Sequence, residues 1–303
     1  MKMYSTSLIA IPLTLASLVF TSGETFSSAK ASSKVFTWTQ SKKDTFAQPE
    51  SVYWYQDTNT YFVSNIAGDG QKKDKTGWIS KLDQDGNVVA AKWVTGLNAP
   101  KGMRAHDGYL YVSDIDQVTK INIAGGKVVE NFKVANAIFL NDVDVDNQGN
   151  IFVSDTLASK IYKISQKGKV SVFVEGDDWE SPNGLLIHGD ELVVGAWGLT
   201  KDWSNKTAGH LYKINLSNKK RTNISQKAVG NLDGLEVDPK NADRYVVSDW
   251  VSGKIFEIND GVVKELQSLS QGSADIALRQ KKSGELEVVV PMMKDAKVHG
   301  LKW

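Results

Sequence analysis

The sequence predicts an all-β fold, a six-bladed β-propeller with four antiparallel strands in each blade. The 303-residue chain contains six copies of one unit, whose starts are about 40 to 50 residues apart. Each unit contains short apolar runs that alternate with polar residues and are separated by turn residues, as antiparallel strands do. Four strands in a repeat of this length are typical of a propeller blade.

Each unit opens with the strand that is predicted to lie innermost. The six openings are "PESVYW" at Pro49, "PKGMRA" at Pro100, "LNDVDV" at Leu140, "PNGLLI" at Pro182, "LDGLEV" at Leu232 and "ADIALR" at Ala274. The second apolar run of each unit ends in a related triplet, which occupies 63–65, 112–114, 153–155, 194–196, 247–249 and 290–292. A third run opens with Ile, Leu or Val, and a looser fourth run closes most units.

Three of the triplets end in a Ser-Asp pair, at 113–114, 154–155 and 248–249. A catalytic serine is needed only once, so its repetition favours a structural role. We interpret the pairs as hydrogen-bonding groups between blades.

The two ends of the repeat complete each other. The sixth unit stops at Trp303 after its third strand, and the strand-like segment "KVFTWTQ" (34–40) precedes the first unit. This segment is predicted to supply the missing fourth strand. Such closure of the ring removes an exposed sheet edge.

The N-terminal residues resemble a leader. Lys2 is followed by an apolar run of 13 residues from Leu8 to Phe20, and "AKA" at 29–31 offers a cleavage site. The run is too short to cross a bilayer as a helix, and its flanks favour a signal peptide over an ordinary N-terminal helix. We therefore expect a signal peptide at 1–31, a single propeller domain at 32–303, and a periplasmic or secreted protein. No later stretch has the length of a membrane span.

Composition narrows the classes of partner. The chain has no cysteine, and its 36 basic and 35 acidic residues give a net charge of +1. A nucleic-acid partner is not expected, because such proteins carry a basic surface. We expect a monomer that acts on a small molecule.

Two units are longer than the others at the same position. The segments 66–77 in the first unit and 197–209 in the fourth each carry about eight extra residues between the second and third strands. Units three apart face each other in a ring of six. Both loops are therefore predicted to flank one mouth of the central channel, on the face where the first strands begin.

A polar side chain recurs as the second residue of each opening strand. The six are Glu50, Lys101, Asn141, Asn183, Asp233 and Asp275. The first strands line the channel of a propeller, so these side chains are predicted to converge at one end of it. Glu50, Asn141, Asn183 and Asp233 offer oxygen atoms, which Ca²⁺ prefers, with no His or Cys to suit zinc or copper. In the alternative interpretation, Asn, Asp and Gly are turn formers at strand starts.

These motifs resemble the regucalcin/gluconolactonase family of six-bladed propellers, which is related to diisopropylfluorophosphatase and the paraoxonases. The resemblance covers about 34–303. It implies that Glu50, Asn141, Asn183 and Asp233 hold a catalytic divalent metal, commonly Ca²⁺. The chain departs from the family at Ser51-Val52, where Gly-Pro is usual, and at Val143, where many members have Gly. It also has Lys101 in place of the more usual arginine, so specificity for sugar lactones does not follow.

The expected chemistry is hydrolysis of a lactone or related ester, with the metal polarising the carbonyl. Asp233 is expected to activate water or to attack directly, and Lys101 to stabilise an anionic group. Alternatively, Lys101 pairs with Asp275 or Glu50. Asp275 is a further substrate or metal contact. Trp197 and Trp203 are predicted to form an apolar wall for substrate, or else to pack between blades.

Two other functions stay open from the sequence. One is a non-enzymatic exported binding or scaffold module whose ion is structural. The other is a metal-free condensing enzyme of the strictosidine-synthase type, which shares the fold but does not need these oxygen ligands.

Overall fold

The computed structural model describes residue 1 and residues 35–38, 45–205 and 207–303. The predicted signal peptide at 1–31 lies, apart from residue 1, outside the described residues, so that prediction stays open. The regular secondary structure of the part described consists of β-strands and two short 3-10 helices at Gln56–Thr58 and Asp177–Trp179. None of its helices is long and apolar enough to cross a membrane.

The described strands form six four-stranded antiparallel sheets, which confirms the predicted six-bladed propeller. Strand β1 is Val35–Trp38. Blade one contains β2 (Pro49–Tyr55), β3 (Thr60–Asn65), β4 (Gly77–Asp83) and β5 (Val88–Leu97). Blade two contains β6 (Pro100–His106), β7 (Tyr109–Asp114), β8 (Gln117–Asn122) and β9 (Lys127–Lys133). Blade three contains β10 (Leu140–Val145), β11 (Ile151–Asp155), β12 (Lys160–Ile164) and β13 (Val170–Glu175).

The second half of the ring follows the same order. Blade four contains β14 (Pro182–His188), β15 (Glu191–Ala196), β16 (Leu211–Asn215) and β17 (Arg221–Asn223). Blade five contains β18 (Leu232–Asp238), β19 (Asn241–Asp249), β20 (Lys254–Asn259) and β21 (Val262–Ser268). Blade six contains β22 (Ala277–Gln280), β23 (Leu286–Met292) and β24 (Lys297–Lys302), with β1 as its fourth strand.

The ring closes as the sequence predicts. Strand β1 pairs antiparallel with β24, from Val35 opposite Leu301 to Trp38 opposite Val298. On the channel side, the amide of Val52 donates to the carbonyl of Asp275 over 3.1 Å. The strand that precedes blade one in sequence therefore completes blade six, and the innermost segments of the two blades are hydrogen-bonded to each other.

The core lies between neighbouring blades, because each sheet is apolar on both faces. Tyr61 and Val63 of blade one pack with Val289 of blade six. Phe62, between them in sequence, packs with Leu110 of blade two. Successive side chains of a strand point to opposite faces of its sheet, so one apolar run contributes to two cores.

The Ser-Asp pairs join blades, as predicted. Ser113 Oγ donates to the carbonyl of Asn141 in the next blade. Ser154 Oγ donates likewise to the carbonyl of Asn183 over 2.7 Å, and Ser248 Oγ to that of Ala274 over 2.8 Å. These buried hydroxyls hold the innermost strands at the level of the predicted site.

Candidate functional site

The innermost strands begin with a local break in pairing that turns their polar residues into the channel. Pairing between the first two strands of blade one shifts between Pro49 and Ser51, which leaves Glu50 without an opposite residue. The same shift leaves Asn183 unpaired in blade four. Such bulges re-aim single side chains, and they place the predicted residues at one end of the channel.

A cavity of about 260 Å³ lies at this end of the channel. Its polar part is formed by Glu50, Lys101, Asn141 and Asp233, four of the predicted site residues. All four are buried, with at most 6% of each residue exposed. The structure therefore brings two carboxylates, an amide and an ammonium from four blades to one surface.

Asn183 lies beside this surface but is not among the residues that line the cavity. Its Nδ2 donates to the carbonyl of Leu232 over 3.1 Å, and its Oδ1 accepts from Thr156 Oγ1 over 3.4 Å. A hydrogen bond from Asn183 also favours the charged form of Asp233. Asn183 therefore does not line the cavity, and its link to the predicted metal site is its hydrogen bond to Asp233.

Asp275 also lies away from the cavity surface. Its Oδ2 accepts a 2.5 Å hydrogen bond from Ser51 Oγ, and its Oδ1 is buried without a hydrogen-bond partner. Burial is the main reason that its pKa rises to about 7. The predicted contact between Asp275 and substrate has no counterpart among the cavity-lining residues.

The carboxylates at this end of the channel are strongly destabilised as anions. Burial, and then the neighbouring charge of Asp233, raises the pKa of Glu50 well above its usual range. Burial, and then Asp142, raises the pKa of Asp233 to about 8. Glu50 Oε2 is buried and has no hydrogen-bond partner. A cation at this position would offset the like-charge repulsion that disfavours both anions.

Asp142 is a member of this cluster that the sequence analysis missed. Burial, followed by the charge of Asp275, raises its pKa well above the usual range. Its oxygens accept hydrogen bonds from the amides of Val143 and Leu185, both over 2.7 Å. The sequence signal was present, since Asp142 follows Asn141 directly, but only the second residue of each innermost strand was considered.

Lys101 has contacts that the sequence did not indicate. Its Nζ donates to the carbonyl of Ala99 over 3.1 Å and to that of Gly70 over 3.3 Å. The ammonium also lies 4.4 Å from the centre of the Phe139 ring. No ion pair joins it to a carboxylate of the residues described, so neither Asp275 nor Glu50 is its direct partner. Burial lowers its pKa, while the negative charge of Glu50 opposes that shift.

The rest of the cavity is a wall of apolar side chains. Trp197 and Trp203 belong to it, at the positions that the sequence predicted. The sequence analysis missed the other members, which are Ile66, Phe139, Trp250, Val251 and Met293. Four wall residues, namely Ile66, Trp197, Trp250 and Met293, immediately follow the related triplets, so the repeat alignment contained a signal for them.

Four aromatic rings form a continuous part of this wall. The Trp203 ring meets Phe139 edge-on, with centroids 4.9 Å apart, and meets Trp197 in the same way at 5.0 Å. The Trp197 and Trp250 centroids are 5.9 Å apart. Trp197 therefore both lines the cavity and packs between blades four and five, which unites the two interpretations of this residue.

The two long loops lie at this mouth, as predicted. Trp203 comes from the loop of blade four, and the carbonyl that accepts from Lys101 belongs to Gly70 in the loop of blade one. A β-carbon added to Gly70 would lie 3.9 Å from the ring of Phe139. Trp203 of one loop thus contacts Phe139 directly, and Gly70 of the other loop binds Lys101, whose ammonium lies over the same ring.

The oxygen atoms at the base of the cavity match the ligand preference of a divalent metal, but they form an incomplete ligand set. Glu50, Asn141 and Asp233 face the cavity, and Glu50 Oε2 is a buried oxygen without a partner. These hard oxygen donors match the chemistry of Ca²⁺. Within the described ranges, no cluster of three or more His, Cys, Asp or Glu side chains has an arrangement that could hold a metal. The predicted set has only two carboxylates, so a metal would also need amide, water or substrate oxygens.

A second charged cluster occupies the channel farther along the same strands. Arg104 Nε lies 3.3 Å from Asp144 Oδ1, and its Nη1 lies 3.1 Å from Glu236 Oε1. Burial raises the pKa of both Asp144 and Glu236, and the charge of Arg104 opposes that shift. This cluster fixes blades two, three and five to one another.

Comparison with known proteins identifies the fold. No family model matches the sequence, and no curated protein is similar to it in sequence. A gluconolactonase from Xanthomonas campestris is similar in structure, with a TM-score of 0.67 and 14% identity over 90% of both chains. A virginiamycin B lyase from Staphylococcus aureus has a TM-score of 0.57 and 14% identity, over 89% of this chain and 99% of the lyase. The chain therefore shares its propeller fold with gluconolactonases and B lyases.

Proposed function

We propose that this protein is a metal-dependent hydrolase of lactones or related esters, with Ca²⁺ as the expected metal. One observation supports this proposal above the others. A buried surface of Glu50, Asn141 and Asp233, with an unpartnered oxygen on Glu50, lies beside Lys101 at the base of a cavity whose wall is apolar. Such a combination suits a small ligand with one polar end. The fold shared with a gluconolactonase is consistent with this chemistry.

The metal would be held by Glu50, Asn141 and Asp233, with Asn183 orienting Asp233 or completing the set. When bound, it supplies a Lewis acid for the carbonyl of the substrate. Asp233 is the proposed base or nucleophile, because it alone among the cavity-lining acids accepts a hydrogen bond from Asn183 that favours its anion. As a base, Asp233 would take a proton from the attacking water and pass it to the departing alkoxide oxygen. As a nucleophile, its carboxylate would bond to the acyl carbon as the alkoxide departs, and water would then hydrolyse the resulting anhydride and restore the carboxylate.

Lys101 is proposed to stabilise developing negative charge. Two of its three N–H groups are used by the carbonyls of Ala99 and Gly70, which leaves one donor for a ligand. Because these two carbonyls fix the position of the ammonium before substrate binds, it need not move as negative charge develops during the reaction. Trp197 and Trp203 would exclude water from the opposite side of the substrate. We also propose that the protein acts as an exported monomer.

Calorimetry with Ca²⁺ and an assay with small lactones and aryl esters test this proposal. We expect Ca²⁺ binding, turnover that a chelator removes, and loss of both in Glu50→Gln and Asp233→Asn. Glu130→Gln, at an exposed position on β9, is the matched control and should retain both. Circular dichroism should show that all three variants stay folded.

The products separate the competing functions. Hydrolysis adds the mass of one water to the lactone, whereas elimination by a lyase gives a ring-opened product of unchanged mass. Ca²⁺ binding without turnover of any ester would instead support the binding module with a structural ion. Turnover that is insensitive to chelator, or absence of any divalent-ion affinity, would contradict the proposed chemistry.

A further inference from the structure

The cavity separates its polar groups from its apolar groups. Glu50, Lys101, Asn141 and Asp233 are all at the base, where the innermost strands begin. The remaining lining residues carry no hydroxyl, amide or carboxylate group, and the polar atoms of the wall are those of its indole rings. Trp197 Nε1 is buried and has no hydrogen-bond partner in the structure. A ligand therefore meets carboxylate, amide and ammonium groups at one end only, and away from the base the only side-chain donors among the lining residues are indole N–H groups.

The base itself has limited capacity for hydroxyl groups. Lys101 keeps one free N–H, since Ala99 and Gly70 accept the other two. The Nδ2 of Asn141 lies 3.4 Å from Thr156 Oγ1. The oxygens of the acidic side chains and of Asn141 would be occupied by the metal of the proposed function. Few partners are left for a ligand with several hydroxyl groups.

The dimensions of the cavity limit the ligand further. Its volume of about 260 Å³ is slightly below the range that is usual for small-molecule sites, about 300–1,000 Å³. One or two fused rings fit within such a space, whereas a macrocyclic lactone would extend beyond it.

From these features we infer that the ligand is a compact lactone or ester with an aromatic or alkyl body, and not a polyhydroxylated sugar lactone. This inference rests on the proposed function for the carbonyl that would face the base. The apolar body lies against the rings of Phe139, Trp197, Trp203 and Trp250, where offset and edge-on contacts are favourable. A sugar lactone would bury hydroxyl groups against these rings without partners, which is unfavourable.

Two stable lactams test the ligand class without any turnover. The compounds are 3,4-dihydroquinolin-2-one, which has an aromatic body, and glucono-δ-lactam, which has hydroxyl groups on the same six-membered ring. Calorimetry and tryptophan fluorescence in the presence of Ca²⁺ should show that the aromatic lactam binds roughly tenfold or more tightly. Equal affinities, or tighter binding of gluconolactam, would overturn the inference.

Variants of Trp203 locate the binding in this cavity. Trp203→Ala should weaken binding of the aromatic lactam by roughly tenfold, because the edge-on and offset contacts of the ring with the ligand are lost. Trp203→Phe should retain most of the affinity, and Trp93→Phe, in the outer strand of blade one, should retain all of it. Ca²⁺ affinity should stay within twofold in each variant. Unchanged lactam affinity in Trp203→Ala would contradict the assigned wall.

The outcomes distinguish this inference from the proposed function. Tight binding of the aromatic lactam with no hydrolysis of any lactone would refute the hydrolase and leave the ligand class intact. Ca²⁺-dependent hydrolysis of gluconolactone, with gluconolactam as the tighter ligand, would refute the ligand class and leave the hydrolase intact.

Discussion

Gly184 allows the innermost strands of blades four and five to approach each other closely. A β-carbon built on Gly184 would lie 1.9 Å from the carbonyl oxygen of Asp233. Real contacts of this kind are essentially never shorter than 3.0 Å, so Gly184→Ala requires a displacement of more than 1 Å. Neither atom belongs to a flexible side chain, and the whole strand must move.

The expected cost of Gly184→Ala follows from this geometry. Overpacking of a well-packed interior costs about 1–3 kcal/mol in the free energy of unfolding. In a domain of this size, each kcal/mol lowers Tm by about 2–4 °C, so we expect a decrease of about 2–12 °C. Thermal unfolding followed by circular dichroism measures it. Ca²⁺ affinity should fall as well, because Asp233 is displaced.

Gly70→Ala provides the matched comparison. Its added β-carbon would have its nearest neighbour at 3.9 Å, an ordinary contact with the ring of Phe139. We expect its Tm to stay within about 2 °C of that of the original protein. If Gly184→Ala had a Tm as high as that of Gly70→Ala, the close approach of the two innermost strands would not be what requires glycine at position 184.

Two further predictions concern the polar groups that join the blades. Ser154→Ala removes the 2.7 Å hydrogen bond to the buried carbonyl of Asn183, and should lower the free energy of unfolding by about 1–3 kcal/mol in chemical denaturation. Arg104→Leu leaves the buried carboxylates of Asp144 and Glu236 without their cation, and should cost about 3–5 kcal/mol at pH 8. The cost should be smaller at pH 5. Burial already raises the pKa of both acids, and loss of the cation raises it further. Folding of the variant therefore favours the protonated acids, and its free energy of unfolding falls as the pH rises from about 4 through these raised pKa values.

Controls for these two changes come from an exposed position and a partly exposed one. Ser171 Oγ donates to the carbonyl of Lys163 over 3.2 Å at the surface, and Ser171→Ala should change stability by less than about 0.5 kcal/mol. Arg221→Leu removes an ion pair with the partly exposed Glu180, and should show a smaller loss than Arg104→Leu. A pH-independent effect of Arg104→Leu would show that packing, and not charge, explains its contribution.

The fold could be predicted from the sequence because its determinants are local and repeated. Alternation of apolar and polar residues specifies each strand, and six similar units specify the ring. Closure by β1 followed from a unit that lacked its fourth strand. The hydrogen bonds between blades were predicted because a Ser-Asp pair that recurs in several units is more consistent with a structural role than with catalysis. The hydrogen bond from Ser154 to the carbonyl of Asn183 in the next blade confirms this prediction.

The sequence predicted the polar residues that line the candidate site, but it did not predict what those residues contact. Glu50, Asn141 and Asp233 meet at the cavity because they hold the same position in their units. The partners of Lys101 could not be read from the repeat, because Gly70 belongs to an insertion found in only two blades. Asp142 was missed because the repeat alignment selected only the second residue of each innermost strand, and the bulge at the start of β10 that changes the local alternation is visible only in the structure.

The sequence by itself determined the strand pattern, the number of blades and the residues that start each innermost strand, since these depend on period, turn residues and register. Only the tertiary structure decided what surrounds those residues. The aromatic wall combines Phe139, Trp197, Trp203 and Trp250 from three blades, and the close approach at Gly184 involves the backbone of another blade. Such contacts depend on side-chain packing between distant segments, and no local pattern in the chain encodes which surfaces come within a few ångströms of each other.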